Sequence, residues 1–288
     1  MKDFNKEVRG VYCLGEYTFE ELIEYCKQSI ERYPDSPDGY LCLGSAYYDV
    51  GEFDLAYEFL KKAASLEKEE DRLAYICEKI GFILFKKGDF DSALEYYERA
   101  LELAERVYAI GIKFDAMVYT AYIYYVQGRI DESLDLYKKS LSFCRDKEFR
   151  FVIFSNIAFL HYMKKEYRKA IKFFEKAIEI GIQNGFYRRV LEARLDVANV
   201  YMDIGDYDTA LSYISDVLTD AQKTGDKYIE ARARWLLAKF CWRTGNDDFI
   251  MGNLEEAYDL FREIGEDEEA LKVLEDIKFV DEVIRKKR

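Results

Sequence analysis

The chain has 288 residues, a formal net charge of −13 and only two prolines. This acidic balance argues against a nucleic-acid-binding surface, because binding to a phosphate backbone needs a basic face. Strand-like alternating segments do not occur, which predicts an all-α chain, and no stretch stays apolar over the roughly 20 residues that a membrane span needs.

The first 35 residues are predicted to form a divergent copy of a helical repeat that recurs along the rest of the chain. Its start, Met1 to Arg9, is charged and lacks the apolar core of a secretory signal. A helix is predicted over Phe19 to Arg32 and should end before Pro34. Because the sequence indicates neither a secretory signal nor a membrane span, we expect a cytoplasmic protein.

From residue 37 onward, one pattern of small and large residues recurs. Each copy contains a small residue that we call the mark. Counted from the mark, a turn residue usually follows seven residues later, a small residue twelve later, a large residue sixteen later and another small residue nineteen later. This spacing is typical of two amphipathic helices joined by a tight turn, in which small residues let the helices approach closely. One hairpin cannot bury its apolar face alone, so the copies must stack. The marks are Gly44, Gly81, Ala121, Ala158, Ala198 and Ala238, and the turn residues are Gly51, Gly88, Gly128, Lys165, Gly205 and Gly245.

The second full copy reads Gly81-x-x-Leu84-x-x-x-Gly88-Asp89-Phe90-Asp91-x-Ala93-x-x-x-Tyr97-x-x-Ala100. It resembles a tetratricopeptide repeat, and the resemblance covers nearly all of the chain. The marks are 37 or 40 residues apart, whereas the usual repeat has about 34 residues. These longer units resemble the longer-helix subclass that is found in peptide-sensing regulators and adaptors. From its length we expect the chain to form one body over residues 1–288. The resemblance implies a right-handed superhelical solenoid of stacked antiparallel helix hairpins. The predicted repeats are 1–35 (divergent), 37–70, 74–107, 114–147, 151–184, 191–224 and 231–264, the last with an insertion at Asn246 to Gly252, and a capping helix follows over 266–284.

By the same resemblance, the first helix of each repeat lines a concave groove. The groove-facing positions are then one and four residues after each mark, and three and six before it. Aromatic rings fill most of the positions after the marks, and two explanations stay open: packing between neighbouring first helices, or contact with a ligand. We favour an apolar or amphipathic peptide ligand, bound without a cofactor. The rings are Tyr48, Phe82, Phe85, Tyr122, Tyr125, Phe159, Tyr162 and Trp242.

Two asparagines, Asn156 and Asn199, should lie near the inner surface on neighbouring first helices. A side-chain amide can donate to and accept from one peptide unit, so this pair is suited to holding an extended backbone. The alternative is hydrogen bonding inside the stack.

Charge is uneven along the predicted groove. The last repeat offers Arg232, Lys239 and Arg243 beside Trp235 and Trp242. This arrangement predicts that an acidic or carboxylate end of the ligand binds there. The inner positions of the other repeats carry the carboxylates Asp38, Asp49, Asp115, Glu192 and Asp203.

One known use of the family is excluded by the residues present. The clamp for Hsp70 or Hsp90 tails needs lysine, arginine and asparagine on three successive repeats. Around Asn156 the corresponding residues are Val118, Tyr122, Glu192 and Asp196. Such a wall repels a carboxylate, so a chaperone tail is not expected to bind.

Catalytic and metal sites are not indicated. His161 is the only histidine and follows the helix-packing pattern, and no nucleophile elbow, phosphate loop or metal-spaced ligand set occurs. The six cysteines are scattered without a Cys-x-x-Cys pair, so we expect reduced, buried packing residues. The basic run from Arg285 to Arg288 is interpreted as a solubilising cluster.

The sequence thus predicts a non-enzymatic scaffold or adaptor that binds a peptide segment of a partner protein in its groove. The alternative is a peptide-sensing regulator of a signalling or transcription factor.

Overall fold

The structure is a computed structural model that describes the backbone of residues 18–287 and the side chains up to residue 283. The predictions for Met1 to Arg9, Cys13 and the side chains of Arg285 to Arg288 lie outside the described residues. Residues 18–287 form fourteen α-helices and one short 3-10 helix, with no strand, which confirms the all-α prediction. No helix in this part of the chain combines the length and the apolar composition required to cross a bilayer.

The helices fall into two compact units, residues 1–143 and 144–288, called the N-terminal unit and the C-terminal unit below. The N-terminal unit contains α1 (Phe19–Arg32), α2 (Pro37–Asp49), α3 (Phe53–Leu66), α4 (Glu70–Lys87), α5 (Phe90–Arg106), α6 (Ile110–Val126) and α7 (Ile130–Leu141). The C-terminal unit contains α8 (Lys147–Met163), α9 (Tyr167–Asn184), α10 (Tyr187–Ile204), α11 (Tyr207–Thr224), α12 (Lys227–Thr244), the 3-10 helix Asp247–Phe249, α13 (Ile250–Ile264) and α14 (Asp267–Lys287).

Within each unit, consecutive helices pack as antiparallel pairs joined by short turns. The first helices of neighbouring pairs also touch, α4 on α6 and α10 on α12. Both units are therefore stacks of helix hairpins, as the resemblance implies. In the last pair, part of the expected insertion is helical, since α13 already begins at Ile250.

The small marks are required by the close approach of the two helices in a hairpin. A Cβ atom on Gly44 would lie 2.7 Å from Leu60 Cγ, and one on Gly81 would lie 2.9 Å from Tyr97 Cδ1. Leu60 and Tyr97 are themselves fully buried. The core of each stack thus lies where large side chains of the second helices meet the marks of the first.

The turns between paired helices use the left-handed backbone region. Gly88 ends α4 with a φ of 79°, and Lys165 takes a φ of 57° at the equivalent place between α8 and α9. The Lys165 turn keeps its shape although a non-glycine residue is strained there. After Gly88, the Asp89 carboxylate accepts a hydrogen bond of 3.2 Å from the backbone N–H of Ser92, which caps α5.

The first hairpin contains a disulfide that the sequence analysis missed. Cys26 on α1 and Cys42 on α2 are bonded to each other, so the expectation of reduced cysteines is wrong for this pair. Both residues are buried where α1 packs on α2, and this packing, not their spacing in sequence, brings their Cα atoms to 5.6 Å. Cys77, Cys144 and Cys241 are free and buried, as predicted.

Candidate functional site

A pocket of about 240 Å³ lies between α10, α12, α13 and α14 of the C-terminal unit. Buried apolar side chains from all four helices form its floor. Its rim combines residues predicted from the sequence with two residues of α14. The rim residues are Asn199, Lys239, Trp242, Arg243, Asp276 and Phe279.

Three of these rim residues come from one face of α12. Lys239, Trp242 and Arg243 are spaced by three and four residues, which places their side chains on the same side of a helix. The helix begins at Lys227 and is capped by Asp226, whose carboxylate accepts a hydrogen bond of 3.1 Å from the backbone N–H of Ile229. It ends at Gly245, which has a φ of 77°. Trp242 and Arg243 therefore stand in the last turn of α12, at the mouth of the pocket.

Two exposed aromatic rings form one wall of the pocket. Trp242 on α12 is 38% exposed and Phe279 on α14 is 57% exposed. Their ring centroids are 5.7 Å apart, with 55° between the ring planes. Adjacent exposed rings of this kind are typical of contact surfaces, so this wall is suited to an apolar side chain of a ligand.

Lys239 supplies a positive charge beside that wall. Its Nζ lies 4.0 Å from the ring centroid of Trp235, and Trp235 Nε1 donates a hydrogen bond of 2.7 Å to Asp276. Desolvation lowers the pKa of Lys239, while Asp276 acts in the opposite direction. Within the described residues Lys239 forms no ion pair, so its ammonium is available to an acidic group of a ligand.

Arg243 is held in place by a carboxylate. Its Nη1 donates a hydrogen bond of 2.5 Å to Asp203, and the hydroxyl of Tyr162 donates one of 2.6 Å to the other oxygen of Asp203. Burial, reinforced by the bond to Asp203, raises the pKa of Tyr162 to about 12. Three first helices, α8, α10 and α12, are joined by this network, and the charge of Arg243 is matched within the chain.

Arg232 is paired in the same manner. Its guanidinium nitrogens lie 3.9 Å from a Glu192 oxygen and 3.8 Å from an Asp196 oxygen. Desolvation raises the pKa of Asp196 to about 6, opposed by Arg232 and aided by Glu192. Two of the three cations predicted for the last repeat, Arg232 and Arg243, are thus already paired with carboxylates, which leaves Lys239 as the third.

The two predicted asparagines lie in different surroundings. Asn199 lines the pocket, is half-buried, and its amide makes no hydrogen bond within the described part of the chain. Asn156 is half-buried on α8 and does not line the pocket. Phe159, also on α8, is partly exposed, with its ring centroid 6.3 Å from that of Tyr162. The structure therefore brings Asn199, but not Asn156 or Phe159, to the pocket.

The predicted aromatic residues of the N-terminal unit pack against one another. Phe82 lies 5.2 Å from Tyr119, measured between ring centroids, and Tyr122 lies 5.4 Å from Phe85 and 5.8 Å from Tyr125. Tyr122 nevertheless remains 43% exposed. Packing and surface exposure are therefore combined in the same stripe of rings.

Asp276 and Phe279 were not predicted as site residues, because α14 was interpreted only as a helix that covers the end of the stack with a polar face. The signal was present: Phe279 is an aromatic residue three positions after Asp276 and directly before the buried Val280. That spacing places Asp276, Phe279 and Val280 along the side of α14 that contacts the preceding helix pair.

Comparison with known proteins supports the repeat pattern. Two models described as tetratricopeptide repeat match the chain, one over residues 35–106 and 114–183 and the other over 80–147 and 195–270. A TPR repeat-containing protein of Methanocaldococcus jannaschii is 24% identical over 222 residues, which are 71% of this chain and 36% of that protein. The 43 kDa receptor-associated protein of the synapse from Tetronarce californica is 22% identical over 262 residues, 85% of this chain and 63% of that protein. The chain thus spans between about one third and two thirds of the length of these relatives.

Solved structures share the fold. The C-terminal part of a TPR repeat-containing protein from Cytophaga hutchinsonii has a TM-score of 0.63 at 19% identity, covering 84% of this chain and 90% of that one. The apo form of RapI has a TM-score of 0.63 at 18% identity, covering 86% of this chain and 98% of that one. Aspartyl phosphate phosphatase F from Bacillus subtilis has the same TM-score at 15% identity, covering 88% of this chain and 74% of that one. With its repeated hairpins and the matches over residues 35–183 and 195–270, this chain belongs to the tetratricopeptide repeat family.

Proposed function

We propose that this chain is a non-catalytic scaffold whose C-terminal pocket binds a peptide segment of a partner protein. Tetratricopeptide repeats generally mediate protein–protein interactions. The observation that carries the proposal is the exposed pair of Trp242 and Phe279. Beside this pair lie the Lys239 ammonium, which forms no ion pair with any described residue, and the Asn199 amide, which forms no hydrogen bond with one. Together these groups offer an apolar anchor point and polar contacts to one extended segment.

The size of the pocket limits the ligand. A volume of about 240 Å³ is below the roughly 300–1,000 Å³ of typical small-molecule sites. It suits one or two side chains of a peptide better than a cofactor. We propose that a large apolar side chain of the partner inserts between Trp242 and Phe279, with an adjacent carboxylate or carbonyl accepting a hydrogen bond from Lys239.

The proposal does not extend to other classes of partner. The net charge of −13 disfavours nucleic acid. Glu192 and Asp196 stand where the chaperone-tail clamp would need cationic groups, which supports the exclusion of Hsp70 and Hsp90 tails. A cytoplasmic location stays a prediction, and the disulfide between Cys26 and Cys42 is unusual for a reducing compartment.

The test is selection of peptides on the immobilised full chain, followed by affinity measurement in solution. Trp235 and Trp242 are the only tryptophans of the chain and both lie at or beside the pocket, so tryptophan fluorescence reports occupancy directly. The variant is Trp242→Ala with Phe279→Ala, titrated with fluorescein-labelled peptides. The matched control is Tyr187→Ala with Phe249→Ala, two exposed aromatic residues of the same unit that do not line the pocket.

Because buried aromatic anchors contribute about 2 kcal/mol or more, we expect the pocket variant to lose about 30-fold or more in affinity and the control to lose none. Selected peptides should share a large apolar residue next to an acidic one. Peptides that bind both variants as tightly as the wild type would refute the pocket as the site. A peptide-sensing regulator would in addition show a peptide-dependent change in hydrodynamic radius.

A further inference from the structure

The N-terminal unit holds a second group of functional side chains, away from the pocket described above. Glu78 on α4 is only 5% exposed, and its carboxylate lies 3.3 Å from Lys79 Nζ. Asp49, the last residue of α2, and Asp115, on α6, both interact electrostatically with Lys79. We call Asp49, Glu78, Lys79 and Asp115 the acidic cluster.

The charges of the acidic cluster do not balance. It has three carboxyl groups and one ammonium, and within the described residues Asp49 and Asp115 form no ion pair. Desolvation raises the pKa of Asp49, Glu78 and Asp115, and Lys79 only partly opposes this. A second positive charge at this place would stabilise the ionised carboxylates.

Aromatic rings surround the same place and already contact ammonium groups. Lys79 Nζ lies 4.6 Å from the ring centroid of Tyr48 and 5.3 Å from that of Tyr75, and Lys86 Nζ lies 5.9 Å from that of Phe82. The ring centroids of Tyr48 and Phe82 are 5.6 Å apart. Rings at these distances attract cations through their negative faces, so the walls of the acidic cluster favour the same charge as its carboxylates.

A buried polar group lies beside the acidic cluster. Tyr97 is 0% exposed, and its hydroxyl has no hydrogen-bond partner among the residues that the structure describes. The ring of Tyr97 stacks on that of Tyr119 at 5.8 Å, and its hydroxyl interacts electrostatically with Glu78 and Asp115. Buried hydroxyls are rarely left unpaired in proteins, and this one interacts with two carboxyl groups of the acidic cluster.

We propose that the acidic cluster binds the ammonium or guanidinium group of a lysine or arginine side chain from a partner protein. The carboxylates of Asp49 and Asp115 accept its hydrogen bonds, and the rings of Tyr48 and Phe82 contact its apolar stem. The site rests on the proposed scaffold function, but it lies in a different unit and uses none of the residues of the C-terminal pocket.

The test measures fluorescence anisotropy of a fluorescein-labelled peptide of alternating glycine and lysine, with an alternating glycine and glutamate peptide as the charge control. The site variant of the full chain is Asp49→Asn with Asp115→Asn. The matched control is Glu95→Gln with Glu98→Gln, two exposed carboxylates of α5 whose removal changes the net charge by the same amount. Circular dichroism confirms that each variant is folded, and spermidine is added as a competitor in a separate titration.

We expect the lysine peptide to bind the wild type and the α5 control alike. It should bind the site variant about tenfold more weakly, because asparagine keeps a hydrogen-bond acceptor but loses the charge that strengthens a bond to an ammonium. The glutamate peptide should not bind. Equal losses in both variants would show general attraction to an acidic chain and overturn the proposal. Binding of spermidine without binding of the peptide would also overturn it, in favour of a free polyamine. Failure of the C-terminal pocket experiment leaves these outcomes unchanged, because the two sites share no residue.

Discussion

Removal of the Tyr97 hydroxyl is expected to stabilise the N-terminal unit. The hydroxyl is buried, and within residues 18–283 it has no hydrogen-bond partner. Such a group costs about 1–3 kcal/mol. The substitution Tyr97→Phe keeps the ring, including its stacking on Tyr119 at 5.8 Å. We therefore expect the free energy of unfolding to rise by about 1–2 kcal/mol.

Urea denaturation followed by far-ultraviolet circular dichroism measures this change, because helices of both units contribute to the signal. Trp235 and Trp242 lie only in the C-terminal unit, so a gain confined to the N-terminal unit appears in circular dichroism and not in tryptophan fluorescence. Tyr137→Phe is the control, since Tyr137 is buried at the equivalent place of the next hairpin and has an interaction partner. A Tyr97→Phe chain no more stable than the wild type would contradict a destabilising effect of the hydroxyl. It would show that water forms a hydrogen bond with the hydroxyl in solution. The unpaired hydroxyl would then no longer support ligand binding at the acidic cluster.

Three further predictions concern stability. Reduction of the disulfide between Cys26 and Cys42, which are 16 residues apart, should lower the free energy of unfolding by about 3 kcal/mol, measured by denaturation with and without dithiothreitol. Gly44→Ala should destabilise by about 1–2 kcal/mol, because a Cβ there meets a side-chain carbon at 2.7 Å and the overlap outweighs the gain in helix propensity; Gly252→Ala, with nothing within 4 Å, should stabilise slightly. Desolvation raises the pKa of Asp196 to about 6, so the folded chain favours the protonated carboxyl group. Its contribution to the free energy of unfolding is therefore full below its ordinary pKa and is lost as pH rises through about 6. The melting temperature of the wild type should therefore fall relative to Asp196→Asn between about pH 4 and pH 7, and a constant difference would contradict the assignment.

The fold was predictable from sequence because its rules are local. Small marks such as Gly81, turn glycines and large residues such as Tyr97 recur at fixed spacings, and each hairpin satisfies them by itself. The disulfide was not predictable in this way. Cys26 and Cys42 belong to different helices, and their contact depends on how α1 packs on α2. One cooperative body over residues 1–288 stays a prediction.

The candidate site was predictable only where it follows the repeat. Asn199 and Trp242 stand at fixed offsets from their marks and reach the pocket, whereas Phe279 lies on α14, beyond the last repeat. The charges were identified singly but not as pairs. Arg243 and Asp203 were both named as groove residues, yet their mutual neutralisation needs the register of two neighbouring helices.

The ion pairs of Arg232 with Glu192 and of Arg243 with Asp203 have a consequence for the order of the repeats. Glu192 and Arg232 stand six residues before their marks, and Asp203 and Arg243 stand five after them, so each pair joins equivalent places in consecutive repeats. Helix α12 is therefore complementary in charge to α10 and not to a copy of itself. Duplication of the last repeat would set arginine against arginine at both places. The charges of these two repeats are therefore specific to their order, and a copy of the last repeat placed after itself would lack both ion pairs.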